Sequence, residues 1–168
     1  MTGIDLRAAL QGREHAAEVE RLLDREWRML IGGELRVAGD GSTFETIDPF
    51  SQLPVAKVPD ATMEDVDAAV AAAEEALDRW RGKTALERAQ LVLAFADLVE
   101  EHGDELALLD AIDAGSPIVN ARFDVKIALE QMRMYAGLAL EMKGQTIPAS
   151  NALHITVREP VGVVAKIW

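Results

Sequence analysis

Asp110 and Asp113 fall one helical turn apart, a spacing that could pair two carboxylates on one helix face, although a solvated helix end accounts for it equally well. The other side chains with chemical reach are dispersed. His15, His102 and His154 lie in separate segments without the i, i+4 partner that builds a metal site, so surface or capping placement is their ordinary reading. Ser42, Ser51, Ser116 and Ser150 sit among turn formers, and none occupies a G-x-S-x-G elbow. Gly32-Gly33 lacks the G-x-G-x-x-G spacing of a phosphate-binding turn and reads as a hairpin turn. Met132, Met134 and Tyr135 read as packing rather than as a ligand box. The sequence contains no Cys. Disulfides, thiolate metal sites and thiol nucleophiles are therefore outside its repertoire.

With 168 residues, 49% hydrophobic and 27% charged, the composition is that of a globular chain able to bury a core. A formal charge of −12 argues against nucleic acid or an anionic membrane as partner, since binders of polyanions present basic faces. The carboxylates read as solvated helical surface. Met1–Leu10 interrupts its apolar residues with Asp5 and does not read as a secretory signal. No apolar run approaches bilayer length, and a cytoplasmic location is the expectation that remains.

The residues before Trp27 give an amphipathic helical pattern, with Val19, Leu22, Leu23 and Trp27 on one side. Arg28 to Val37 reads as two short strands around Gly32-Gly33, and Phe44 to Ile47 with Val55 to Val58 as a second pair around Asp48-Pro49-Phe50-Ser51. Thr62 opens a helix with Asp65 in its first turn and the apolar series Met63, Val66, Val70, Ala73, Leu77 and Trp80. Thr84-Ala85-Leu86-Glu87 is a capping box that starts the next helix, running to His102. Helices over Glu105 to Ala114 and Val119 to Met142 follow, the last ended by Lys143-Gly144.

Leu153, Ile155 and Val157 alternate with polar residues, the pattern of a strand with one buried face. Val161 to Trp168 is almost continuously apolar, the pattern of a parallel strand covered on both faces. Such a strand needs neighbours, and the expectation is that most of its sheet lies beyond Trp168. The fold class expected is α/β, with about four main helices beside short antiparallel strands.

Six segments in one order resemble the N-terminal portion of the aldehyde dehydrogenase superfamily. They are Leu30-Ile31-Gly32-Gly33-Glu34, Thr46-Ile47-Asp48-Pro49, the alanine-rich helix Val66 to Trp80, Ala111-Ile112-Asp113-Ala114-Gly115-Ser116-Pro117, Met132-Arg133-Met134-Tyr135-Ala136-Gly137, and Arg158-Glu159-Pro160-Val161-Gly162-Val163-Val164. The resemblance runs from about Trp27 to Trp168. It leaves 1–26, helical by its own pattern, as an extension outside the match, and it implies part of the cofactor-binding domain over 27–143, an oligomerisation hairpin over 144–160, and the first strand of a Rossmann-like NAD(P)-binding sheet over 161–168.

The same resemblance implies roles residue by residue. Ile167 and Trp168 match positions bordering bound NAD or NADP, with core packing as the competing reading for Ile167. Phe123 and Ile127 match positions lining the aldehyde tunnel of some members, with helix packing as the competing reading. Thr46, Ile47 and Asp113 match a monovalent-cation site made of main-chain oxygens and a carboxylate, hard ligands that suit such an ion, with a capping role as the competing reading for Asp113. Gln145 to Glu159 matches the hairpin that pairs subunits of a homo-oligomer. The family's thiolate nucleophile, its glutamate base and its oxyanion-binding asparagine match positions beyond Trp168. The resemblance thus implies an inactive fragment of an NAD(P)+-dependent enzyme that oxidises a small aldehyde. The alternative is a stand-alone, non-catalytic association module.

Overall fold

The computed structural model describes residues 15–167. The extension expected over 1–26 therefore falls largely outside the described residues, as does Trp168. What is described of it is helix α1, Ala16–Leu23, which buries Val19 and Leu22 as the stripe predicts. Trp27 lies beyond its end, so it does not belong to that helical face.

Strands β1, Met29–Ile31, and β2, Glu34–Arg36, pair antiparallel with Leu30 opposite Leu35. Gly32 and Gly33 between them have φ of 62° and 86°, the left-handed pair that closes a two-residue hairpin in step with strand twist. Strands β3, Thr43–Ile47, and β4, Pro54–Pro59, form a second ladder, irregular between Thr46 and Ile47.

Helix α2, Met63–Arg81, starts in a full capping box: the Asp65 N–H donates to Thr62 Oγ1 at 3.2 Å, and the Thr62 N–H donates to Asp65 Oδ2 at 2.9 Å. The same carboxylate accepts the Gly39 N–H at 2.9 Å, which ties the loop after β2 to the helix start. Donation by the Gly39 and then the Thr62 N–H holds the Asp65 carboxyl below its ordinary value. Helix α3, Ala85–Glu101, opens on the capping box of Thr84 and Glu87.

Helix α4 spans Gly103–Ala114, so Gly103 opens this helix as well as separating it from α3, where the expected start was Glu105. Helix α5, Ile118–Leu138, stops short of the expected Met142; its last turn tightens into a 3₁₀ turn over Ala139–Glu141. Helix α5 packs on both α3 and α4. The seams are lined by Ala89 and Ala96 of α3, Ala107 of α4, and Ala121, Leu129 and Ala136 of α5, all buried. Small side chains at these positions let the helix backbones approach closely. Arg133 adds a polar clamp across the α3–α5 seam, donating to Glu100 Oε2 at 2.6 Å.

Three expectations need correction. The apolar stripe of α2 is not core: Met63, Val66, Val70 and Trp80 are all exposed, and the helix has no buried residue. Met134 and Tyr135 are exposed too, so neither packs in this chain. Strands β5, Thr146–Ala149, and β6, Ala152–Ile155, pair as the hairpin predicts, yet Leu153, Ile155 and Val157 all lie open, so the alternating face covers nothing here.

Residues 161–167 form no strand. Val161 is 92% and Ile167 94% exposed. An extended backbone becomes a strand only through a neighbour's hydrogen bonds, and no strand of the described residues runs beside it. Gly162 to Val164 borders a groove shared with Leu77 and Trp80 of α2.

Candidate functional site

Two of the segments singled out in the sequence meet in space, and their meeting builds the cleft of the candidate site. The β3–β4 turn is organised by Asp48, whose carboxylate accepts the Phe50 N–H at 3.0 Å, the Ser51 N–H at 3.1 Å and the Ser51 hydroxyl at 2.5 Å. Desolvation is the largest single influence on this carboxyl and raises its pKa, but the Ser51 and Phe50 donors together outweigh it and hold it below the ordinary value. The rigid turn presents Pro49 to the end of α4. There Gly115, at φ 71°, comes so close that a Cβ on it would stand 2.6 Å from Pro49 Cγ.

This docking lays β3 and β4 beside the last turns of α4. Between them opens a cleft of about 310 Å³ whose walls include Trp27, Thr46, Val58, Leu109, Asp110 and Asp113. Thr46 and Asp113 are thus brought together, and Asp110 joins them. Ile47 is adjacent to Thr46 in β3 but does not line the cleft. Two carboxylates at the C-terminal end of a helix whose last turn carries no basic residue make a cation-seeking corner, because the terminal carbonyls add their own partial negative charge. The donors are hard oxygens, which suit an alkali ion. Among the described residues no trio of His, Asp or Glu converges as a chelating metal site. Sequence reasoning missed Trp27: its indole N–H is buried on this cleft and has no hydrogen-bond partner among the described residues. The visible signal was an isolated aromatic residue two positions before β1.

The other candidate positions stay apart from this cleft. Phe123 and Ile127 stand one turn apart on α5; Phe123 is open to solvent and Ile127 half-buried, both off the alanine-lined seam. Ile167 is exposed on the unpaired segment, so residues 161–167 do not by themselves cradle a dinucleotide. The hairpin is closed at its base by Gly144, where a Cβ would stand 1.8 Å from the Thr156 carbonyl oxygen, and by the Gln145 N–H, which donates to Thr156 Oγ1 at 2.8 Å. No helix of the described residues is long and apolar enough to cross a membrane.

The model of the aldehyde dehydrogenase family matches residues 36–168. The chain is 42% identical over 144 residues to the mitochondrial benzaldehyde dehydrogenase of Antirrhinum majus, covering 83% of this chain and 27% of that protein. It is 38% identical over 146 residues to the NADP/NAD-dependent aldehyde dehydrogenase PuuC of Escherichia coli K12, covering 84% of this chain and 30% of that one. The NAD+ complex of aldehyde dehydrogenase from Bacillus cereus superposes with a TM-score of 0.78 at 44% identity, over 86% of this chain and 30% of that chain. The chain thus spans less than a third of the length of these relatives.

Proposed function

Because the chain belongs to the aldehyde dehydrogenase family, we propose that it is the N-terminal scaffold portion of an NAD(P)+-dependent aldehyde dehydrogenase. The observation that carries this reading is the asymmetry of the match: 83% of this chain is taken up, but only 27% of the relative. In the complete protein a cysteine thiolate would attack the aldehyde carbon, bound NAD(P)+ would supply the hydride acceptor, and water would hydrolyse the resulting thioester to the carboxylic acid and return the thiol. This chain has no Cys. It is accordingly inactive alone, and its own residues serve to position and to bind.

In this reading Thr46 and Asp113, with the neighbouring Ile47 of β3 contributing at most its main chain, hold a monovalent cation, with the Asp113 carboxylate as the side-chain ligand. Phe123 and Ile127 border the aldehyde's path, and Ile167 and Trp168 border the dinucleotide. The hairpin Gln145 to Glu159 pairs with a second subunit. The open apolar residues Leu153 and Ile155 on that hairpin also favour a second reading, a non-catalytic association module.

The test is an assay of NADH and NADPH formation from short aldehydes, with the chain alone and then mixed with a polypeptide spanning the remainder of the Bacillus cereus relative. No turnover alone and measurable turnover in the mixture is the expected result. Turnover by the chain alone overturns the inactivity; silence in the mixture, with tight self-association, favours the module.

A further inference from the structure

Helix α1 lies outside the residues that the family model matches, and it covers a face of the family core that is built from α4 and α5. Between them is a second cleft, of about 360 Å³, with a floor of Leu22, Leu108 and Ile118. Its rim mixes three of the 17 basic residues, Arg21, Arg25 and Arg122, with the carboxylates Glu18, Asp104 and Glu105, and His15 stands beside them.

Two of the three are already engaged. Arg25 pairs with Glu105 at 2.5 Å and Arg122 with Asp104 at 3.0 Å, each ion pair tying one wall of the cleft. Arg25 also stacks over the Trp27 ring at 5.2 Å, which fixes its direction. Two rim charges are left over, Arg21 and Glu18, one turn apart on α1. Neither has an ion-pair partner among the described residues. The cleft therefore offers one unspent cation, one unspent anion and an apolar floor, in a volume near the small end of ligand sites.

We propose that this cleft binds a small zwitterion with an apolar body, of the class of a free apolar α-amino acid. The ligand carboxylate lies on Arg21, whose planar fork donates two parallel hydrogen bonds to it. The ligand ammonium lies on Glu18, and the side chain rests on Leu22, Leu108 and Ile118. A simple anion is disfavoured by Glu18 and a simple cation by Arg21, so the pair selects for both charges in one molecule. The site shares no residue with the Thr46–Asp113 cleft.

Isothermal titration of the full chain with L-leucine, hexanoate and hexylamine as probes tests it. Saturable leucine binding is expected, at least about tenfold tighter than either singly charged probe. Arg21→Gln and Glu18→Gln should each weaken leucine by about tenfold or more. Both side chains are solvent-facing, and far-UV circular dichroism checks that the helices persist in each variant. No saturable leucine binding, hexanoate or hexylamine binding as tightly as leucine, or unchanged affinity in either variant would overturn the proposal.

Discussion

Gly115 and Pro49 stand against each other so closely that a single methyl group on Gly115 would fall 2.6 Å from the proline Cγ. The contact joins the end of α4 to the β3–β4 turn, and through it Asp113 and Thr46 come to share a cleft. Gly115→Ala meets two penalties, the clash and a φ of 71° that disfavours a Cβ. A loss of about 1–3 kcal/mol in urea unfolding is expected. In a Pro49→Ala background the same substitution should cost less, because the clash is relieved while the strained φ remains.

Asp65 joins the Gly39 loop to the start of α2, and its carboxyl titrates below the ordinary 3.8 because the Gly39 and Thr62 N–H groups donate to the charged form. A depressed folded pKa contributes stability that is fully present above the unfolded value and is lost as pH falls through the folded one. The urea midpoint should therefore decline once pH drops below about 4. Asp65→Asn should lower the midpoint at pH 7 and flatten part of that acid decline. An unchanged acid limb in the variant would show that Asp65 is not responsible.

Ala96 and Ala107 are completely buried where the helices meet. Replacing either by Leu adds volume to a seam with no room for it, and a loss of about 1–3 kcal/mol is expected from overpacking. Ala71→Leu, at an exposed position of α2, should be nearly neutral.

The carboxylates of the Trp27 cleft predict an ion dependence. At constant ionic strength the melting temperature should be higher in sodium or potassium chloride than in choline chloride, since an ion bound only by the folded form stabilises it. Asp113→Asn should remove the difference. A wild-type chain with equal melting temperatures in all three salts would sink the cation reading.

The exposed face of β6 predicts self-association through the hairpin. Ile155→Lys places a charge on that face without disturbing any buried group. Sedimentation velocity should show the wild-type chain forming larger species as concentration rises and the variant remaining smaller. Identical distributions would remove the hairpin from the interface.

The sequence by itself determined the local architecture, because those signals are carried by neighbouring residues. Thr62 with Asp65, Thr84 with Glu87, Gly32-Gly33, and Gly115 set starts, a turn and a stop that the structure repeats. Six ordered segments also indicated the family. Tertiary structure alone decided which apolar faces are covered. The stripe of α2 and the alternation of β6 read as buried, yet they are open, since periodicity records which face can be buried and not what lies against it. It also decided that Trp27 would wall the cleft with Asp110 and Asp113, and that α1 would bring Arg21 and Glu18 to the rim of another. Those placements depend on contacts between residues far apart in the chain, such as Pro49 with Gly115 and Arg25 with Glu105, and no local spacing encodes them.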